Sequence, residues 1–248
     1  RYVQRSCPDV DGKPVAFDGC TDPAVLTFTA RRVVLDPQIT PLVGRRLRLD
    51  ALDVEQATLD LPVTDSEFEL PTWPEVLPRI DLPLALESDA IRVDGLRVTR
   101  AGAPLIDIAS IRGGLDARRD DLRVHRLVVD SDRGLFSADG RYAPRDNYRT
   151  DLVATAVLPA PFARPRPRVG LIARGDLDHM DLAIGGRAPG PLRAHVGLRG
   201  KRWTLRAHTD ALDPSLLAGS GEPGTPVAFS LEADGQGGAA NLQGELRR

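Results

Sequence analysis

An alternation of apolar and polar residues, broken by one-residue slips, constrains this chain more than any other feature. In "IRVDGLRV" (91–98), Ile91 and Val93 alternate with Arg92 and Asp94; after Gly95, Leu96 and Val98 resume the alternation one step out of phase. "RLRLDALDV" (46–54), "DLRVHRLVV" (121–129) and "HMDLAI" (179–184) repeat the theme. Period two is the signature of a strand with one face in an apolar environment. Leu47 and Leu49 are followed by Leu52 and Val54, then by Leu59 and Leu61; Leu122 and Val124 are followed by Leu127 and Val129. In a regular strand each slip would turn the apolar set to the opposite face. An inserted residue, as in a β-bulge, absorbs the slip and keeps one face apolar, and Gly95 sits where a bulge is easy. A hairpin turn at each slip is the alternative, at the cost of very short strands.

Turn signals such as "RAGAP" (100–104), "SDRG" (131–134), "APRDN" (143–147) and "GKR" (200–202) recur at the spacing of hairpin-linked strands. They predict strands at 25–35, 45–61, 81–87, 90–99, 104–117, 121–130, 134–142, 148–158, 168–176, 178–186, 191–199, 202–210, 226–234 and 239–247. Helix is confined to two single-turn candidates, "DPQITPLVG" (36–44) and "DPSLLAG" (213–219), each with Asp at the N-cap, Pro in the first turn and Gly at the end. Proline-rich loops near 62–80, 159–168 and 219–226 interrupt the pattern without dividing it. The expected fold is mainly β, a long antiparallel sheet running through 25–248 as one continuous unit.

Residues 1–24 read as a loop insertion. Cys7 and Cys20 flank "PDVDGKPVAFDG" and suit a disulfide worth about 3 kcal/mol by chain entropy, which would place the chain in an oxidising compartment; two unpaired thiols are the alternative. The opening "RYVQRSCPD" reads as part of something longer, with any membrane anchor outside this sequence. No run of 18 apolar residues is present. Arg and Asp are interleaved, the net charge is −2, and no basic stripe forms, which argues against nucleic acid as a partner.

Candidate chemistry is sparse. His125, His179, His195 and His208 share no metal-ligand spacing. "DLDHMD" (176–181) lacks the loop and glycine of a calcium site, and the Arg174–Asp176 "RGD" falls at a strand. No nucleophile elbow or phosphate loop occurs. No catalytic residue, metal or cofactor is expected. What remains is the apolar parity set: Leu47, Leu49, Ile91, Val93, Leu96, Val98, Ile106, Ile108, Leu122, Val124, Leu127, Val129, Leu182 and Ile184. These fourteen either form the closed core of a sandwich or barrel or line an open groove. Apolar residues make up 42% of the chain but aromatics only 4%, a composition that suits a broad aliphatic surface with few anchors.

A short turn followed by "RRLRLDALDVEQATLDLP", a proline-rich loop, and then "IDLPLALESDAIRVDGLRVTRAGAPLIDIASIRGGLDARRDDLRVHRLVVDSDRGLFSADGRY" resembles the N-terminal part of the TamB family. These are inner-membrane subunits of the translocation and assembly module, within the AsmA-like bridge-like lipid-transfer proteins of Gram-negative envelopes. "GDLDHMDLAIGG", "GPLRAHVGLRGKRWTLRAHTDALDPSLL" and "ANLQGEL" are similar to the same family, so the resemblance covers roughly 30–248. It implies a sheet folded lengthwise into an elongated trough, apolar inside, in a periplasmic protein anchored to the inner membrane. It also implies phospholipid acyl chains as cargo, an outer-membrane barrel partner like TamA reached through parts absent here, and a role in outer-membrane biogenesis without catalysis. A chaperone-like scaffold for outer-membrane or autotransporter proteins, with a closed β core, is the competing expectation.

Overall fold

The computed structural model describes residues 1–6, 24–38, 46–62, 85–118, 120–160, 165–213, 215, 224–236 and 239–247. Of these residues 83% lie in strands. The strands are β1 (Tyr2–Ser6), β2 (Ala24–Gln38), β3 (Arg46–Leu61), β4 (Ala85–Arg100), β5 (Ala103–Arg118), β6 (Asp121–Ser131) and β7 (Gly134–Ala143). They continue as β8 (Arg149–Val157), β9 (Arg168–Gly175), β10 (His179–Arg187), β11 (Pro191–Arg199), β12 (Arg202–Leu212), β13 (Val227–Gln236) and β14 (Ala239–Arg247). All fourteen join one sheet in strict sequence order, and β1 and β14 are its two edges, so the sheet is not closed. Thirteen spacings of about 4.8 Å give a sheet about 62 Å across.

Every pairing is antiparallel except one. β3 and β4 run parallel, with Arg46 beside Ala85, Val54 beside Val93 and Leu61 beside Arg100, and no register shift between them. This corrects the expectation of an antiparallel sheet throughout. Parallel neighbours need a connection of a dozen residues or more, and residues 62–84 supply it. The two strands match because they share a pattern: Leu47/Leu86, Asp50/Asp89, Ala51/Ala90, Val54/Val93 and Leu59/Val98 are partners or equivalents at a constant offset. Their kinks coincide as well, since Gln56 (φ 50°) and Gly95 (φ 73°) fall at the same level.

The phase slips are irregularities inside continuous strands, not turns. In β6 the register shifts between Val124 and Leu127, Arg126 takes φ 46°, and Asp139 of β7 accepts a hydrogen bond from its backbone N–H at 2.9 Å. Leu127 therefore faces the same way as Val124. In β5, Ile108 pairs with Ser131 and Ser110 with Asp130, which leaves Ala109 as the extra residue. In β4 a shift between Ser88 and Ile91 joins what the sequence reads as two strands, 81–87 and 90–99, into one.

Two further expectations change. Residues 2–6, assigned to a loop insertion, form an edge strand paired with Ala24–Phe28; the pattern is too short to betray it. Asp36–Gln38, expected to open a helical turn, instead end β2. At the second helical candidate, Asp213 Oδ1 accepts hydrogen bonds from the Ser215 N–H at 3.0 Å and the Ser215 hydroxyl at 2.6 Å, the geometry of an N-cap. The remainder of both candidates, the Cys7–Cys20 pair and most of the three proline-rich loops lie outside the described residues.

Tight hairpins fix the ends. Ala101 (φ 47°) and Gly102 (φ 79°) both adopt left-handed geometry between β4 and β5, as a type I′ turn requires. Asp60 of the neighbouring β3 pins this turn, accepting from Thr99 Oγ1 at 2.6 Å and from the Gly102 N–H at 3.0 Å. Those bonds hold its carboxyl below its ordinary range.

Candidate functional site

Direct partners across a sheet point to the same face, so the register reads out each face row by row. One row runs from β2 to β14 through Val33, Val54, Val93, Ile111, Val129, Phe136, Ala156, Val169, Gly186, Leu192, Thr209, Phe229 and Leu246. Thr209 is its one polar member. A second runs from β3 through Leu49, Ser88, Leu115, Val124, Gly140, Leu152, Ala173, Leu182, Val196, Leu205, Ala233 and Leu242. Here Ser88 is buried and bonds the Ala90 carbonyl. The bulges keep these rows unbroken. Without the extra residue in β6, Leu127 and Val129 would point to the charged side.

All fourteen residues of the parity set fall on this face. Leu47 and Leu86 are partners, as are Leu96 and Ile108, Val98 and Ile106, Leu122 and Tyr142, and Leu182 and Val196. Of the fourteen only Leu49 is buried, at 2% exposure; the other thirteen stay partly exposed. The buried apolar residues are mostly alanines, with Leu49, Val54 and Pro167 the larger ones among the described residues. Strand contacts run between sheet neighbours, apart from marginal ones. A sandwich or barrel core would seal such a face. Among the described residues no second layer does so.

Sequence reasoning named only part of the face. The parity set has no member in β2, β7–β9 or β11–β14, although β8, β11, β12 and β13 alternate as regularly, and it omits the aromatic members Phe136, Trp203 and Phe229. Strict alternation carried that signal; the slips drew attention to other strands.

The opposite face is charged and internally matched. Arg97 meets Asp107 at 2.9 Å, Arg112 meets Asp94 at 2.6 Å, Arg141 meets Asp121 at 2.6 Å and Arg199 meets Asp181 at 2.9 Å. Arg141 holds the Asp121 carboxyl below its ordinary range. Pairs this exposed add little stability, but they keep the face in water and leave the apolar face as the larger uncharged surface among the described residues.

Among the described residues the histidines and the acidic stretch stay apart. "DLDHMD" is a hairpin turn: Asp176 Oδ1 accepts from the Asp178 and His179 N–H groups at 3.0 Å each, which lowers its pKa, with the His179 bond the larger cause. Asp178 thus sits in the turn, not in a strand beside Asp176. His195 lies 3.5 Å from Asp181 and His208 3.1 Å from Asp210, two separate pairs. No group of three metal-ligating side chains occurs among the described residues, and no helix among them is long and apolar enough to cross a membrane. No family model, curated protein or solved structure matches the chain.

Proposed function

We propose that the apolar face carries phospholipid acyl chains, as a segment of a periplasmic groove that moves phospholipid between the inner and outer membranes and supports outer-membrane biogenesis. The observation that carries this reading is the pair of rows, apolar but for Thr209 and Ser88 and largely part-exposed, running along a sheet about 62 Å across. A membrane leaflet's tails span about 15 Å, half the hydrocarbon thickness of a bilayer, so several chains fit along the rows. Curling of the sheet into a trough, as the resemblance to TamB-like proteins implies, would shelter the tails from water while the Arg/Asp face stays wet. The small and aliphatic lining suits cargo that slides, because few side chains offer a ring or polar group to grip one molecule. An inner-membrane anchor and a TamA-like barrel partner belong to this reading through parts of the protein outside this sequence. No step in it needs catalysis.

Titration with a fluorescent-acyl phospholipid tests the proposal. The wild-type chain binds, and Leu182→Arg with Leu205→Arg, neighbours across Val196 in the second row, removes binding while the far-UV circular dichroism stays unchanged. Undiminished binding by the folded double variant would sink the proposal.

A second reading has one observation in its favour. β14 pairs only with β13, every residue of it is exposed, and Leu242 and Leu246 are each 72% exposed. Such an edge offers backbone groups to an incoming strand, as a scaffold for nascent outer-membrane proteins requires. On that reading, substitutions within the rows leave function intact and a proline in β14 abolishes it.

A further inference from the structure

On the polar face, one directly opposed pair of arginines holds no carboxylate. Arg168, the first residue of β9, stands directly opposite Arg187, the last of β10. Neither makes an ion pair or side-chain hydrogen bond among the described residues. Arg193 lies one row inward on β11, facing Gly185 on one side and His208 on the other. It and Arg166 are exposed and equally without a partner. Arginine faces arginine elsewhere too, at Arg92–Arg112, Arg123–Arg141 and Arg199–Arg202, but in each of those pairs one member holds a carboxylate. Here the carboxylates are occupied. Asp210 is engaged by His208 Nε2 at 3.1 Å, and Asp213 is fully buried, accepting from Ser215 and from the Gly224 N–H.

Like charges directly opposite on a sheet repel, so this arrangement gains from an anion placed between them. The floor is open: Gly170 and Gly185 oppose each other in the adjoining row, and a side chain at Gly185 would meet nothing within 4 Å. The row of Arg168 continues into apolar residues, through Val157 to Leu135. Leu135, Val153, Ile172 and Val128 are 37–45% exposed on this otherwise charged face. Cationic guanidinium groups beside exposed aliphatic side chains match the interfacial region of an anionic bilayer, where phosphate lies next to hydrocarbon. Guanidinium also presents paired donors that fit phosphate oxygens.

We propose that this corner binds the phosphate of an anionic phospholipid at a bilayer surface, with Arg168 and Arg187 on the phosphate, Arg193 and Arg166 flanking it, and Leu135, Val153 and Ile172 against the interface. The site lies on the face opposite the apolar rows, so it stands independently of any cargo they carry.

Co-sedimentation with vesicles of phosphatidylcholine containing about one quarter phosphatidylglycerol tests it, against vesicles of phosphatidylcholine alone. Wild type binds the anionic vesicles and not the neutral ones, and Arg168→Glu with Arg187→Glu weakens binding about tenfold or more, given two reversed charges at the surface. Arg92→Glu, an exposed arginine remote from the corner, leaves binding unchanged. Arg168→Gln with Arg187→Gln repeats the measurement should the glutamate variant fail to fold. Binding by the double variants within twofold of wild type, or equal binding to neutral vesicles, overturns the assignment. Binding of inorganic phosphate by the wild-type chain, with no binding to either kind of vesicle, would assign the corner to a soluble phosphate and overturn the membrane contact.

Discussion

Leu127→Arg separates an open apolar face from a closed core by magnitude. Leu127 follows the bulge at Arg126, pairs with Ala138 and is partly exposed. Full burial of a leucine is worth about 2 kcal/mol, and this site realises only part of that. An arginine here keeps much of the contact through its aliphatic stem and turns its guanidinium to water. The expected loss is therefore about 1–2 kcal/mol. In a closed core the same change would strand an unpaired charge among apolar neighbours, at several kcal/mol and often at the cost of folding. Urea denaturation followed by far-UV circular dichroism reads the difference as a shift in midpoint at constant slope. A loss above about 4 kcal/mol, or failure to fold, would refute the open face. The same variant, if folded, should bind fluorescent-acyl phospholipid less well than wild type.

Other perturbations follow from single contacts. Gly140→Ala places a methyl group 2.1 Å from the Asp151 carbonyl oxygen at φ 147°; it should cost about 3 kcal/mol or more, seen as a lowered denaturation midpoint, whereas Gly185→Ala, with open space above it, should cost little. Asp139→Ala removes the acceptor that pins the Arg126 N–H at the β6 bulge, so hydrogen exchange at that amide should quicken while the rest of β6 stays protected. The carboxyls of Asp60, Asp121 and Asp176 all lie below their ordinary value of 3.8 in the folded chain. A depressed carboxyl contributes stability that is complete above the unfolded value and is lost as pH falls through the folded one. Stability should therefore be flat with respect to these groups near neutrality and decline below about pH 4, and Asp121→Asn should make that decline shallower in an acid titration followed by circular dichroism.

Strand positions were largely legible because period two survives every local accident. The bulges were legible too: a slip of one residue within a run such as Leu122–Val129 has only two physical solutions, and the short segments disfavoured the hairpin. The direction of pairing was not legible. β3 and β4 present the same apolar face whether they run parallel or antiparallel, and only the long connection hinted at a crossover. β1 escaped because five residues with one clear alternation carry no statistical weight. Asp36-Pro37 looked like a helix start because its local chemistry favours one, yet pairing with β3 keeps those residues extended. The site was half legible. Its residue class and parity came from the pattern, while its continuity through β8–β13 and the unmatched Arg168–Arg187 corner depend on cross-strand register, which no single stretch of sequence encodes.

The central claim is that one face of this sheet holds lipid tails and the other does not. Val93 lies in the unbroken apolar row and its neighbour Arg92 points to the charged face. A photo-crosslinking residue placed at each position, in the chain expressed with its native lipids and irradiated, reads this directly by mass spectrometry of the adducts. Phospholipid adducts at position 93 and not at 92 are the predicted result. Equal labelling at both positions, or none at either, would contradict it.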